Sequence, residues 1–437
     1  MRQEFLKYVL QNIAAMIGVS VYILADTFFI SASAGADGIT VLNLVLPVYG
    51  LIFAVGSMIG VGSATRYVLG KAVGQEAVES YFLHAVFWDL MASLPFVLAG
   101  IFAPDQVLRI MGGDAGIVEL GVPYTRIVLI AAPVFMINYV FTAFARNDHA
   151  PTVAMLASLS GSMFNIVFDY ILMFPLHMGM TGAALATALS PVVTMMICCI
   201  HYFSRKNTVG FHWKTPSLRR ILSCCELGVS GFVGEISSAV TTTVFNMLLL
   251  NIVGNIGVAA YGVVANLSLV AMSIFNGIAQ GTQPLISRSF GHGESQQVKK
   301  LLRWSLYVTL IAEMLIVGFA WGFTDTFVQI FNSEGNQELR YYAYFAMRYY
   351  FLGFLAAGIN IMLISYYSAI DRAKPAFAAS LLRGAAAIVV CAIVMAKVWG
   401  INGVWLSFLA AEVVTLAAIW LMDHKTGEQN GVNVSSL

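Results

Sequence analysis

The sequence predicts an all-α polytopic membrane protein with twelve transmembrane helices, arranged as two parallel-repeat six-helix bundles around a central cleft. Three observations lead to this fold: an apolar composition, twelve long apolar runs, and a repeat that relates the two halves. Of the 437 residues, 59% are hydrophobic and 10% are charged, whereas soluble domains have roughly 45–50% apolar and about 25% charged residues. A soluble fold cannot bury that much apolar surface. The net charge of +1 gives no reason to expect a nucleic acid partner.

Twelve apolar runs are long enough to cross a membrane, which takes about 20 mostly apolar residues. The first run is too long for the core of a signal peptide and is therefore predicted to be a span. The predicted spans of the first half are 8–30, 40–66, 80–103, 118–145, 152–174 and 181–203. Those of the second half are 222–250, 256–287, 302–323, 340–369, 376–397 and 402–423.

The basic residues indicate how the chain is oriented. With the N-terminus inside, 17 of the 23 lysines and arginines fall in cytoplasmic segments. Short cytoplasmic loops of membrane proteins carry such an excess of positive charge. We therefore expect a multi-pass protein of the cytoplasmic (inner) membrane with both termini in the cytoplasm, in contact with membrane lipid.

The two halves align with a nearly constant shift of 219 to 224 residues. The matched pairs are Gly62 and Gly281, Gly74 and Gly293, Asp105 and Asp325, Arg126 and Arg348, Pro151 and Pro375, Gly179 and Gly400, and Gly182 and Gly403. An even number of spans in each half gives a parallel repeat with a cleft between two bundles. The predicted divisions are an N-terminal bundle (1–203), a basic linker (204–221), a C-terminal bundle (222–424) and a cytoplasmic tail (425–437).

Acidic residues within the spans are the first candidates for a functional site. An ionised carboxylate at mid-membrane costs at least about 2.5 kcal/mol, so a retained acid indicates a cavity or a partner. Tyr22 and Asp26 are four residues apart, as are Asn165 and Asp169, so each pair lies on one helix face. The two acids are expected to share a pocket in the first bundle.

Two kinds of cation suit such a pocket. Desolvation and mutual repulsion disfavour two ionised carboxylates side by side, so the pair can take up a proton. Alternatively, Asp26, Asn165, Asp169 and Thr187 offer hard oxygen ligands to a small cation such as Na⁺. The sequence leaves both options open, and it shows no ligand spacing for any other metal.

Several motifs resemble the multidrug and toxic compound extrusion (MATE) family, and its bacterial DinF-like and MepA-like branch in particular. They are Tyr22-Ile-Leu-Ala-Asp26 in span 1, Asn165-Ile-Val-Phe-Asp169-Tyr in span 5, Gly179-Met-Thr-Gly-Ala-Ala-Leu-Ala-Thr187 in span 6 and Gly281-Thr-Gln-Pro-Leu-Ile-Ser287 in span 8. The resemblance runs from span 1 to span 12. It implies a monomeric efflux antiporter, active in antibiotic resistance, that exchanges protons or sodium ions for organic, often cationic, drugs. It implies no further cofactor.

The resemblance also implies roles for individual residues. It assigns the coupling cation to Asp26, Asn165, Asp169 and Thr187, with Tyr22 beside them and Asn138 as a further member. Glu235 in span 7 resembles a glutamate that some branches place there, whereas span 10 lacks the acid of the sodium-coupled NorM-like branch. Aromatic and methionine side chains adapt to varied apolar cations, and the candidates for drug contact are Tyr139, Phe141, Met163, Phe168, Phe245, Met247 and Tyr261.

Two other functions are weighed against drug export. A lipid-linked oligosaccharide or polysaccharide flippase of the same superfamily usually carries basic residues in its cavity, whereas the acids here are the clear charges. An intramembrane transferase enzyme needs a His, Asp or metal cluster at one membrane face, but the seven histidines are scattered through different segments. We therefore expect a protein that is not an enzyme.

Overall fold

A computed structural model gives the fold, and it describes residues 1–74, 78, 80–331 and 336–426. The described residues form helices and include no β-strand, as the composition predicts. The helices of the first half are α1 (Arg2–Ala72), α2 (Tyr81–Phe102), α3 (Pro104–Ile110), α4 (Ala115–Ile130), α5 (Ala132–Asn147), α6 (Pro151–Met173) and α7 (Gly179–Tyr202). Those that follow are α8 (Leu218–Val253), α9 (Asn255–Gly291), α10 (Ser295–Gly322), α11 (Thr324–Phe331), α12 (Gln337–Phe351), α13 (Phe354–Ala369), α14 (Ala373–Leu381), a π-helix (Leu382–Ala387) and α15 (Ile388–Thr426).

The described helices account for the predicted spans. Nine helical segments are long and apolar enough to cross a membrane, where α1 counts as two arms, Arg2–Gly35 and Asp37–Ala72. Eleven spans result when each bent pair, α4 with α5 and α12 with α13, is taken as one span. The segment Ala373–Met422 is 50 residues long, and Gly400 interrupts it with a non-helical backbone (φ 58°). Since a span needs only about 20 residues, this segment divides into two, which gives twelve.

The backbone repeats itself as the sequence does. Glycines with positive φ occur in pairs at equivalent positions: Gly35 and Gly254, Gly74 and Gly293, and Gly179 and Gly400. A left-handed backbone favours glycine because a Cβ is strained there, so the same turns recur in each half. His149 and Asp371, also with positive φ, are 222 residues apart. The bend angles of the two equivalent helix pairs also agree: 43° between α4 and α5, and 44° between α12 and α13.

The chain forms two compact units, residues 1–235 and 236–437, so the division falls within α8 and not in the predicted linker. The first part of α8 packs on the first unit. Arg66 Nη2 donates to the Ser223 carbonyl (3.0 Å) and Arg220 Nη1 donates to Ser80 Oγ (2.8 Å). Gly62 and Gly228 lie where a Cβ would collide with the facing helix backbone. Beyond Thr426, the predicted cytoplasmic tail lies outside the described residues.

Candidate functional site

Two buried carboxyl groups form the centre of the candidate site. Asp26 lies on the first arm of α1 and Asp169 on α6, and their side chains are 8% and 0% exposed. The two carboxyl groups are hydrogen-bonded to each other. Elsewhere among the described residues, no hydrogen-bond partner reaches Asp26 Oδ1 or either oxygen of Asp169. Ionised carboxylates only accept hydrogen bonds, so a hydrogen bond between these two groups requires a proton on one of them.

An amide and a hydroxyl extend the site toward α7. Asn165 lies one turn before Asp169 on α6, and its Nδ2 donates to Thr187 Oγ1 at 3.2 Å. Asn165 is fully buried, and its Oδ1 has no donor within the described part of the chain. The site therefore presents acceptor oxygens from three residues, Asp26, Asn165 and Asp169, to whatever cation enters.

Close helix packing fixes this geometry. Helices α6 and α7 follow one another in the sequence and pack side by side. Helix α1 also packs against α6. A Cβ on Gly182 would lie 2.9 Å from the Leu172 backbone carbon, so only glycine allows α7 to approach α6 this closely. The approach brings Thr187 of α7 within hydrogen-bonding distance of Asn165.

Tyrosines surround the acid pair, and sequence reasoning identified only part of this set. Tyr22 and Tyr124 lie close enough to interact electrostatically with both Asp26 and Asp169, and Tyr49 interacts with Asp26. Tyr49 and Tyr124 were not predicted, because a single tyrosine in an apolar run has the sequence signature of a packing residue. The phenol groups give the site polar neighbours without adding charge at neutral pH.

The remaining cation-site candidates lie farther from the pair. Tyr139 interacts electrostatically with Tyr22 on one side and with Glu235 on the other. Glu235 has an exposed side chain, whereas Asn138 is half-buried. Asn138 Oδ1 has no hydrogen-bond partner among the described residues. Tyr139 and Tyr22 thus lie between Glu235 and the acid pair.

The candidates for drug contact fall into different surroundings. Phe141 packs between Phe82 and Tyr202, at 5.2 and 5.5 Å between ring centroids. Phe168 is stacked on Phe164 at 4.0 Å, and Met163 is 62% exposed. Phe141 is therefore engaged in an aromatic cluster of the first bundle in this conformation.

In the second unit, two of the three candidates are interior residues. Phe245 is fully buried, and Tyr261, at 4% exposure, packs against it at 5.2 Å. Met247 is 61% exposed. Neither buried ring can contact a substrate in this conformation, since neighbouring side chains cover both.

A second polar network lies at the end of the first bundle where α5 and α7 terminate, outside the spans. Asp148 accepts hydrogen bonds from His201 Nε2 (2.9 Å), from the Thr208 amide (2.8 Å) and from the Tyr67 hydroxyl (3.2 Å). Lys71 Nζ lies 3.4 Å from the same carboxylate. The network ties the chain that leaves α7 to the end of the bundle. Sequence reasoning missed it because its members are far apart along the chain.

Comparison with known proteins agrees with the repeat. The MatE family model matches residues 12–171 and 232–393, once in each half. The multidrug export protein MepA of Staphylococcus saprophyticus is 25% identical over 424 residues, which cover 95% of this chain and 92% of that protein. MepA of Staphylococcus aureus strain MSSA476 is 26% identical over 423 residues, with the same coverage.

Solved structures share the fold. A MATE protein in complex with MaL6 has a TM-score of 0.89 at 21% identity, covering 96% of this chain and 94% of that one. An outward-facing multidrug resistance MATE family transporter of the MOP superfamily has a TM-score of 0.88 at 22% identity, covering 95% and 94%. A MOP superfamily transporter from Pyrococcus furiosus, described as having a binding pocket of reversed polarity, has a TM-score of 0.88 at 23% identity, covering 97% of each chain.

Proposed function

Since the chain belongs to the MatE family, we propose that it is an antiporter that exchanges a cation for organic, cationic drugs across the membrane. It is a MATE family multidrug efflux transporter, and such proteins are transport proteins, not enzymes. We further propose that export is coupled to exchange of a cation, that the drugs are organic cations, and that the exchange takes place at Asp26 and Asp169. The expected location is the bacterial inner membrane, with both termini in the cytoplasm.

One observation carries the proposal: the buried hydrogen bond between the Asp26 and Asp169 carboxyl groups. A pair that shares one proton carries a single negative charge, and loss of that proton is unfavourable unless a cation takes its place. Proton release leaves a doubly charged site that attracts a cation. Binding of proton and drug is then mutually exclusive, which is the requirement for exchange.

We propose the proton as the coupling ion on this basis. Sodium is the alternative, held by Asp26, Asp169 and the Asn165 amide oxygen, with Thr187 as a further ligand. In this structure Thr187 Oγ1 already accepts a hydrogen bond from Asn165 Nδ2, so a sodium ion would have to rearrange that pair or share the hydroxyl oxygen. A proton needs no such rearrangement.

The membrane potential supplies energy for this exchange. One positive charge that moves inward gains roughly 2.3 kcal/mol per 100 mV. Export of a monovalent organic cation costs the same amount, so exchange for a single proton is electrically neutral and is driven by the pH gradient. Exchange for two protons uses the potential as well.

The bound substrate is expected to be a positively charged aromatic compound. Tyr139 lies between the acid site and Glu235, and a tyrosine ring between carboxylates suits a planar cation. The acidic character of this site does not favour the flippase alternative, whose lipid-linked substrates carry phosphate.

Everted membrane vesicles test the proposal and identify the ion. The vesicles contain the protein and are suspended in an ethidium solution. Either a proton gradient or a sodium gradient is then imposed across their membrane. Ethidium accumulation that follows the proton gradient and is abolished by a protonophore supports the proposal. Accumulation under the sodium gradient alone would replace the proton with sodium, and accumulation under neither would overturn the antiport.

A further inference from the structure

The second unit contains a buried acid to which the proposed exchange assigns no role. Thr309 and Glu313 lie one turn apart on α10, and each is 1% exposed. Glu313 Oε1 accepts a hydrogen bond from the Ile359 amide of α13 at 2.9 Å. Glu313 Oε2 and Thr309 Oγ1 have no hydrogen-bond partner among the residues that the structure describes. Two adjacent buried side chains thus each leave an oxygen atom unsatisfied.

The two side chains meet at Gly358 of α13. A Cβ placed on this glycine would lie 2.8 Å from Glu313 Oε1 and 2.7 Å from Thr309 Cγ2. Both side chains therefore adjoin one point on α13. Phe275 of α9 closes the same spot, at 2.7 Å from that Cβ position, which keeps the site apolar on that side.

A neighbouring acid is neutralised, and Glu313 is not. Arg383, in the π-helix, contacts Glu412 of α15 with two nitrogens, at 3.0 and 2.8 Å. Asn360 Nδ2 also donates to Glu412, at 2.7 Å. This two-pronged ion pair compensates the charge of the Glu412 carboxylate. Among the described residues, the donors that contact Glu313 are backbone amides, and Glu412 lies close enough to repel an ionised Glu313.

Within the described ranges, the helices around α10 offer Glu313 no cationic partner. Helix α13 presents backbone amides, α9 presents the Phe275 ring, and α15 presents Glu412. On α12, Tyr350 interacts with Glu412 and Arg383. An ionised carboxylate at such a place costs several kcal/mol unless it is paired.

We propose that Glu313 is a second proton-binding site, in the C-terminal unit, where the bound proton sits on Oε2. The proton neutralises a buried carboxylate for which the described residues offer no cationic partner. The neutral acid keeps its hydrogen bond from the Ile359 amide. Loss of the proton leaves a negative charge beside Glu412, so the site holds or releases a proton as the surrounding helices move.

The repeat argues that this acid is not required for packing. A shift of 220 residues, which relates Asp105 to Asp325 in the adjoining loop, places Glu313 on Ser93. Ser93 is fully buried and donates to the Leu90 carbonyl at 2.8 Å. A small neutral residue therefore fills the position of the first unit that is equivalent to Glu313, whereas the first unit has its own buried acid one turn earlier, at Asp89.

Infrared difference spectroscopy on the purified full chain in lipid nanodiscs tests for the proton. Glu313→Gln is expected to remove the carbonyl band of one protonated carboxylic acid, whereas Glu338→Gln, at an exposed glutamate of the same unit, leaves it in place. Glu313→Asp keeps a carboxyl group at this helix position, so a carbonyl band should remain. A Glu313→Gln protein with the wild-type spectrum would overturn the site. If that variant does not fold, a wild-type spectrum without any band of a protonated carboxylic acid does so.

A role in coupling rests on the proposed exchange and needs a separate readout. Ethidium uptake by proteoliposomes is measured over a range of internal and external pH. We expect Glu313→Gln to change the pH dependence of uptake and Glu338→Gln to leave it unchanged. An unchanged profile with a lost infrared band would reject coupling but keep the proton. Absence of cation-driven uptake in the wild type would instead reject the exchange itself.

Discussion

At the scale of single residues, the Asp169 side chain is the most tightly enclosed member of the candidate site. It is fully buried, and its one hydrogen bond given by the structure is with Asp26. Asp169 also lies one turn after Asn165 on the same face of α6. Its charge can therefore be neutralised by the shared proton or by an entering cation, and the proposed exchange depends on this residue more than on any other.

Replacing Asp169 by asparagine is expected to abolish drug resistance in cells while the folded protein remains in the membrane. The amide keeps the size of the carboxyl group but cannot take part in proton exchange. Minimum inhibitory concentrations for an organic cation check this, with membrane levels measured in parallel. Asp37→Asn, at an exposed aspartate of α1, is the matched control and should retain resistance. Resistance of Asp169→Asn at the wild-type level would reject the role.

Tyr124 shows where residue-level reasoning from sequence stops. Its ring is 2% exposed and lies near both acids, but this proximity depends on how α4 packs, which no local pattern contains. The opposite holds for Asp26 and Asp169, whose cost in an apolar span marks them from sequence alone. The free-energy cost of placing an acidic residue in an apolar span can be inferred from the sequence, whereas the distance between two helices cannot.

Tyr124→Phe is expected to reduce the rate of drug transport and to change its pH dependence, because the phenol dipole near the two carboxyl groups is lost while the ring remains. Transport by proteoliposomes over a pH series measures this. Tyr307→Phe, at a 58% exposed tyrosine, serves as the control. The same pH profile in Tyr124→Phe and wild type would show that the phenol has no part in the site.

At the scale of helices, the first part of α8 belongs to the first unit. The sequence predicted a boundary in the basic linker, because charge and Pro216 mark a loop. The structure places the division at residue 235, since Gly62 and Gly228 let α8 and α1 pack backbone to backbone. Charge patterns locate loops, but the contacts that define a compact unit depend on which helix faces meet.

Gly228→Ala is expected to destabilise the protein by about 1–3 kcal/mol, as overpacking typically does. The added methyl group would collide with the Met58 carbonyl. Thermal unfolding in detergent measures the loss. Gly234→Ala, on the same helix but with open space at its Cβ position, should unfold at the wild-type temperature or above it. Equal stability of the two variants would contradict the close approach.

The Asp148 network is the other contact that holds an element in place. Burial raises the pKa of the Asp148 carboxyl, but hydrogen bonds from His201 and Thr208 and the charge of Lys71 outweigh burial and hold that pKa at about 2. This value is below the ordinary 3.8. The network therefore stabilises the fold above pH 3.8, and its contribution disappears as the pH falls toward 2.

Asp148→Asn is expected to loosen the segment after α7, because the amide loses the charge that His201, Thr208 and Lys71 surround. Limited proteolysis between residues 203 and 217 should become faster. The free energy of unfolding should fall by about 1–3 kcal/mol. Asp105→Asn is the control. Cleavage of Asp148→Asn at the wild-type rate would show that other contacts hold this segment.

At the scale of the whole molecule, the sequence was sufficient for the architecture. Hydropathy predicted twelve spans, and the paired positive-φ glycines repeat in the backbone what the residue alignment indicated. The bends within spans 4 and 10 were not predicted, although Pro133 at the start of α5 marks the first of them, because hydropathy alone does not show where an apolar run bends. Apolar length determines that a helix spans a membrane, whereas packing determines where it bends.

The measurement that tests the central claim most directly is proton release by the purified protein when drug binds. Adding ethidium to weakly buffered wild-type protein in detergent should acidify the solution, and Asp169→Asn should release no proton from this site. Asp37→Asn should behave as the wild type does. Equal proton release from wild type and Asp169→Asn, or none from the wild type, would contradict exchange at the paired carboxyl groups.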